Sequence, residues 1–446
     1  MFRPRTSAAQ SGWAALLSRL ASVALVAGSV GMVACSGASS GGADDDATPN
    51  VVDDDAGGLG PDAGGPGAHD SGASTDAAQR DSGTGGGDGA TSDTATTDGA
   101  RPDSGGTTDT APPADAGASI GKGKLVGYYA NWTRSTMPPK SVPWKNLTHV
   151  AHAFILPGAT GGLRNISTYV DAELISEAHA HGVKVVASVG GAGAVFDANT
   201  TASVRAKTIA DMATLCSTYG YDGIDIDWEF PDTTAKGAAW AAMISELRVA
   251  LDAVRPGLSI SAAISTGSYY GDWLPTAGLK ALTWVGVMTY DYAGDWSSTS
   301  GHDSPLYPSK GGDGGSVSES MDYFLKTRGL SSDSVLLGLP FYGHEFGASA
   351  IASTPVAPAS APDYRDIVPM LSTAGWASAW DDTAKVPYLH RSASPGFLSY
   401  DDVRSIGAKC AYGKTRAVGG AIIWHLAGDR LSDGSNPLLD AAQPCR

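Results

Sequence analysis

The run Asp222-Gly223-Ile224-Asp225-Ile226-Asp227-Trp228-Glu229 sets three carboxylates at every second position. In an extended chain successive side chains face opposite ways, so Asp225, Asp227 and Glu229 share one face while Ile224, Ile226 and Trp228 share the other. Buried charges persist only where they are paired or used, and like charges at this spacing raise the proton affinity of at least one member. A carboxyl that keeps its proton near neutral pH is what a general acid requires. The apolar alternates argue against a solvated acidic loop, and the run holds no histidine to suggest a metal cluster. No metal and no cofactor are expected. Glu229, outermost on the strand, is the candidate proton donor. Asp227 lies one inward position deeper, about 7 Å away by backbone rise, where its charge would hold the Glu229 proton. Asp225 is deeper still, where only hydrogen-bonding neighbours make an ionised group tolerable. No second carboxylate stands out on an opposing strand at the separation that direct attack by an enzyme nucleophile wants.

These residues need a frame. Strand candidates fall at 124–130, 149–156, 184–190, 222–229, 258–265, 284–291, 335–342 and 417–425. Helix-like segments lie near 171–181, 203–219, 235–254, 271–281, 317–328 and 400–411, with a looser connection after the first strand. Runs such as 184–189 and 336–340 are apolar without alternation, the habit of parallel strands covered on both faces. Eight such units predict an α/β fold, a (β/α)8 TIM barrel, with a doubly wound open sheet as the alternative. The unusual residues then gather at the C-terminal strand ends, where such barrels carry function. They are Trp132, Ser188 with Gly190 and Gly191, Glu229, Tyr290 with Asp291, Tyr342, and Trp424. Segment 344–399 reads as a small insertion between the seventh and eighth strands, with a strand pair within 376–389 and a surface loop at 348–362. Trp132, Trp296, Trp376 and Trp380 are candidates either for stacking on a ligand along a cleft or for packing.

The rest of the chain is of another kind. Arg3, Arg5 and Arg19 precede an apolar stretch at 20–34, the pattern of an export signal. Met32-Val33-Ala34-Cys35 resembles a bacterial lipobox, which makes Cys35 a candidate for lipidation and a membrane anchor, with Ser36 favouring the outer membrane; plain secretion is the alternative. Residues 1–34 are therefore expected to be a lipoprotein signal peptide. Residues 35–121 read as the lipidated cysteine and a linker rich in Asp, Gly, Ala and Thr, too polar to close a core. From 36 to 118 the linker carries sixteen aspartates against two arginines and no lysine, about −14 of the formal charge of −16. That acidity argues against nucleic-acid binding and says nothing of the folded part. Residues 122–446 form the expected barrel domain, read as a monomer. Of its cysteines, Cys410 and Cys445 are the expected disulfide, pinning the C-terminal tail, and Cys216 a buried thiol.

Across 124–430 the chain resembles glycoside hydrolase family 18, the chitinase-like barrels. The family's DxxDxDxE signature stands at Asp222, Asp225, Asp227 and Glu229, its SxGG at Ser188-Val189-Gly190-Gly191 and its MxYD at Met288-Thr289-Tyr290-Asp291. Gly127-Tyr128-Tyr129 matches its first strand, Trp424 the indole closing its eighth, and Gly301 to Tyr307 a loop after its sixth. The resemblance implies that Glu229 protonates a glycosidic oxygen while the substrate's own 2-acetamido carbonyl attacks the anomeric carbon, with retention. It implies Tyr128 and Ser188 as partners of Asp225, Asp227 orienting the acetamide, Tyr290 donating to its carbonyl, Asp291 accepting from the sugar and Trp424 as the floor. The expected substrate is chitin or N-acetylglucosamine oligosaccharides, cut in endo or mixed fashion. An endo-β-N-acetylglucosaminidase and a chitin-binding protein without turnover are the alternatives.

Overall fold

The computed structural model describes residues 123–446 apart from 313. The expected signal peptide, Cys35 and the acidic linker lie outside the described residues. Eight parallel strands close into a barrel: β1 Lys124–Ala130, β2 His149–Ile155, β3 Lys184–Gly190, β4 Gly223–Asp227, β5 Ser259–Ile264, β6 Trp284–Val287, β7 Val335–Pro340 and, last in the chain, β12 Gly420–Trp424. Strand β12 lies between β1 and β7, which completes the ring.

Alternation sorts the side chains into two cores. Leu125, Val185, Ile224, Ile226, Trp228, Ile260 and Val285 pack outward beneath the helices, in one cluster with Met212, Trp240 and Leu247. Val126, Tyr128, Ala151, Val186, Trp284, Leu336 and Ile422 fill the lumen. The register aligns Ser188 of β3 with Asp225 of β4, and Asp225 with Ser261 of β5. Partners in parallel strands point the same way, so all three side chains enter the lumen in one layer.

Strands end earlier than the sequence suggests. Strand β4 stops at Asp227 and β6 at Val287, so Glu229, Tyr290 and Asp291 stand on the loops beyond them rather than on strands. The helix expected over 271–281 is instead two short ones, Gly267–Gly271 and Thr276–Lys280, separated by Pro275, which has no N–H for a continuous ladder.

The insertion sits where expected and contains the expected strand pair, β9 Trp376–Asp381 against β10 Val386–Arg391. Two further segments join it. The chain leaving β7 forms β8 Gly343–Phe346, and β11 Phe397–Tyr400 precedes the last helix, giving a four-stranded antiparallel sheet ordered β8-β11-β10-β9. Phe346, Ala348 and Phe397 seat this sheet on Ala293, just past the sixth strand. The Cys410–Cys445 disulfide is present, tying helix Val403–Thr415 to the C-terminal residues. Cys216 is a buried thiol, pushed up to about 12 by burial. Among the described residues no helix is long and apolar enough to cross a membrane.

Candidate active site

Asp225 lies at the bottom of the acidic row, fully buried, and three hydroxyls hold it. Tyr128 donates to Oδ2 at 2.8 Å, Ser188 to Oδ2 at 2.9 Å and Ser261 to Oδ1 at 2.6 Å. Burial raises the proton affinity of this carboxyl, and the three donors work against that rise. Tyr128 and Ser188 are the partners the resemblance implied. Ser261 was missed, although it sits in alternate register on the neighbouring strand.

Asp227 is also buried, and its Oδ1 has no hydrogen-bond partner. Burial first, then the charges of Glu229 and Asp225, drive its proton affinity well above the ordinary carboxylate range. Burial first, then Asp291, raises Glu229 to about 8. Asp291, reaching in from across the strand ends, joins Asp227 in opposing ionisation of Glu229. Asp227, expected to carry the charge that holds the Glu229 proton, is itself driven toward its protonated form by burial and by the charges of Glu229 and Asp225.

Asp291 adopts a left-handed backbone conformation, φ 59°, rare for a residue with a side chain and a mark of a constrained site. Its N–H donates to Asp303 Oδ1 at 2.9 Å, while its own Oδ1 accepts from Tyr342 at 2.6 Å and meets His344 Nε2 at 2.9 Å. Burial works against a charge on His344, but Asp291 and Asp303 outweigh it and raise its affinity for a proton. The donor atoms of Asp291, Asp303 and His344 lie within 4.8 Å of one another, the spacing of a cation site. Tyr342 and His344 both already bond Asp291 Oδ1. Asp303 and His344 were not singled out from the sequence. Asp303 stood within the 301–307 loop without a role, and His344 follows Tyr342 by two residues, on the same side of an extended chain. Tyr290 lies edge-on to Tyr342, and burial, then Asp227 and Asp291, keep its hydroxyl protonated.

The floor is aromatic. Trp424 stacks on Phe154 with centroids 5.3 Å apart, meets Tyr128 at 5.7 Å and Trp132 at 6.2 Å. Trp132 is 59% exposed, so the row runs from the lumen out into solvent. Phe154, at the end of β2, was not foreseen. Gly190 and Gly191 make the closeness possible. A Cβ on Gly190 would fall 1.8 Å from the Asp227 carbonyl oxygen, and one on Gly191 2.6 Å from the Phe154 ring. Trp296 meets His344 edge-on at 5.7 Å. Trp376 and Trp380 are covered by the guanidinium groups of Arg391 at 4.2 Å and Arg404 at 3.6 Å, so each indole has a packing partner.

In sum, proton-bearing carboxyls at the mouth of a closed barrel face a tyrosine hydroxyl over an indole floor. Such a set can give a proton to a leaving oxygen, accept an N–H and shelter positive charge in a partly dry pocket.

Comparison with known proteins agrees with that chemistry. The model of glycosyl hydrolases family 18 matches residues 124–429. Chitinase A1 of Niallia circulans is 29% identical over 293 residues, 57% of this chain and 42% of that protein. Chitotriosidase-1 of Mus musculus is 27% identical over 358 residues, 71% of this chain and 76% of the relative. Among solved structures, a family 18 N-acetylglucosaminidase from Paenibacillus barengoltzii superposes with a TM-score of 0.65 at 25% identity, covering 72% of this chain and 99% of the other. A group IV chitinase of Ostrinia furnacalis, at 23% identity and TM-score 0.66, covers 72% and 98% and shares the fold.

Proposed function

This chain belongs to glycosyl hydrolase family 18, and from that premise we propose that it is a chitinase, hydrolysing β-1,4 bonds between N-acetylglucosamine units with retention of configuration. One observation carries the reading: Asp227 Oδ1 is buried and unpartnered beside a carboxyl held protonated up to about 8. A buried acceptor left empty is costly, and the N–H of a 2-acetamido group is the donor that would fill it. Asp227 releases its proton to solvent water and ionises as that N–H arrives, since a donor favours the charged form.

The steps follow. The Glu229 carboxyl gives its proton to the glycosidic oxygen as that bond to the anomeric carbon breaks. The acetamide carbonyl oxygen bonds to the same carbon, forming an oxazolinium ring. Asp227 accepts from the ring N–H, and the Tyr290 hydroxyl donates to the attacking carbonyl oxygen. The Glu229 carboxylate then takes a proton from the water that opens the ring. Asp291, oriented by Tyr342 and His344, accepts from a sugar hydroxyl. Trp424 floors the pocket beneath the ring, and Trp132 extends the floor outward. Ser188 and Tyr128 hold Asp225, while Gly190 and Gly191 let β3 close against Asp227.

The test is release of chromophore from an N,N'-diacetylchitobioside by the parent and by Glu229→Gln. Turnover should fall at least roughly 10³-fold while oligosaccharide binding persists. A glucose analogue cleaved as fast as the acetamido sugar would contradict participation by the acetamide. The similarity to a family 18 N-acetylglucosaminidase keeps a second reading in view, because these residues serve any acetamido-sugar bond. An endo-β-N-acetylglucosaminidase would act on N-linked glycoproteins or cell-wall glycan in preference to chitin oligomers. The presence of both Asp227 and Glu229 weighs against a chitin-binding protein without turnover. For placement in the cell, Met32-Val33-Ala34-Cys35 supports a lipid anchor on Cys35 in an outer membrane, with secretion as the alternative. Cys35→Ala should then move the protein from the membrane to the soluble fraction, and unchanged partitioning would end that reading.

A further inference from the structure

The loop bearing Tyr290 and Asp291 rides on a buried ion pair that takes no part in the chemistry. Lys409, on helix Val403–Thr415, is 0% exposed, and its Nζ donates to Asp401 Oδ2 at 2.6 Å, with Asp401 itself 1% exposed. The same ammonium donates to Ser304 Oγ at 2.6 Å, and Ser304 in turn donates to the carbonyl oxygen of Thr289 at 2.6 Å. Thr289 is the residue before Tyr290. Its Oγ1 donates to the Gly338 carbonyl and accepts the Gly338 N–H, both at 2.8 Å, replacing backbone pairing between β6 and β7 where β6 has ended. The neighbouring contacts are of the same kind. Asp303 accepts the Asp291 N–H on its side chain and the Tyr292 N–H on its carbonyl, and its own N–H donates to Ser399 Oγ of β11.

Residues 289–292 are thus bonded to 303–304, and 303–304 to the segment 399–409. A lysine emptied of solvent is expensive unless its geometry is well satisfied, and removing one partner of such a pair costs more than the pair contributes. The network spends that charge on a backbone carbonyl one residue from the site.

We propose that Lys409, acting through Ser304, is a positioning residue for Tyr290 and Asp291, fixing the loop so that the phenol meets the acetamide carbonyl. The proposal rests on the roles given to Tyr290 and Asp291 above. Ser304→Ala removes the link and leaves the Lys409–Asp401 pair intact. Its kcat on a diacetylchitobioside should fall about tenfold with KM within about twofold, since a misplaced group is felt in the transition state more than in binding. The paired change Lys409→Met with Asp401→Asn removes both charges together and should give the same split, with a lowered melting temperature.

Arg205→Met, which breaks the Arg205–Glu246 pair between the helices Ala202–Tyr219 and Thr234–Val254, serves as a destabilised control that should keep the parent kcat. Tyr290→Phe and Asp291→Asn are measured alongside. If both lose turnover while Ser304→Ala keeps the parent value, the positioning role is wrong and the site reading stands. If both are as active as the parent, the site reading falls and this proposal with it. A loss in Ser304→Ala matched by Arg205→Met at equal stability would also overturn it, as a general cost of destabilisation.

Discussion

Tyr128 and Asp225 stand 97 residues apart in sequence, yet the phenol of one donates to the carboxylate of the other at 2.8 Å inside the barrel. They come from β1 and β4, which do not pair, so the bond spans the lumen. With Ser188 and Ser261 it gives the deepest carboxylate three donors and lets it oppose ionisation of Asp227 above it.

Tyr128→Phe removes one of those donors without changing the packing shape. A hydrogen bond to a charged acceptor contributes roughly 1.5–3 kcal/mol, so kcat should drop about tenfold or more with the fold intact. Steady-state kinetics beside a far-ultraviolet circular dichroism spectrum checks this, and an unchanged kcat would show that Asp225 needs only its serines.

The alkaline limit of activity should lie near the Glu229 value of about 8, because the acid works only while protonated. Since Asp227 and Glu229 titrate as a pair, the limb belongs to the pair as a whole. Asp291→Asn removes the charge that most opposes ionisation of Glu229 after burial itself. Glu229 then ionises more readily, so the limb should move to lower pH. A limb that stays put or moves up in a pH–rate profile of the residual activity would contradict the assignment.

The same group links stability to pH. Its folded value lies above the unfolded one, so its contribution is complete below about 4.5 and is lost as pH rises through about 8. Glu229→Gln cannot ionise. Its melting temperature relative to the parent should therefore climb as the pH rises from about 5 to 9, and a difference that stays flat would place Glu229 in a wetter setting.

Trp132 is the exposed end of the aromatic floor, whereas Trp376 is covered by Arg391. Trp132→Ala should raise KM about tenfold, equivalent to about 1.4 kcal/mol, for long oligosaccharides while leaving a disaccharide substrate unaffected. Trp376→Ala should change neither. Equal effects of the two substitutions would remove Trp132 from the cleft.

Breaking the Cys410–Cys445 bridge, which closes a separation of 35 residues, should cost roughly 4 kcal/mol by the loop-closure estimate. Cys410→Ser is expected to melt earlier with unchanged kcat at 25 °C, the bridge joining a helix outside the barrel to the C-terminal residues. Loss of activity before loss of fold would tie the C-terminal tail to the site.

The period of two in the acidic run was enough to put Asp225 and Asp227 on one face, because a β-strand leaves a side chain no other choice, whereas Glu229 stands just past the strand end. Apolar runs at regular spacing were enough for a closed parallel barrel, since each strand had to be covered on both sides. Which residues stand across the lumen from one another was not in the pattern. Ser261, Phe154, Asp303 and His344 have no local signature, and each reaches the site only through the barrel's register or the four-stranded insertion. The proton's place was decided there too. Asp291 comes within range of Glu229 because β4 and β6 end early and their loops converge, and electrostatic interaction depends on distance in space rather than along the chain.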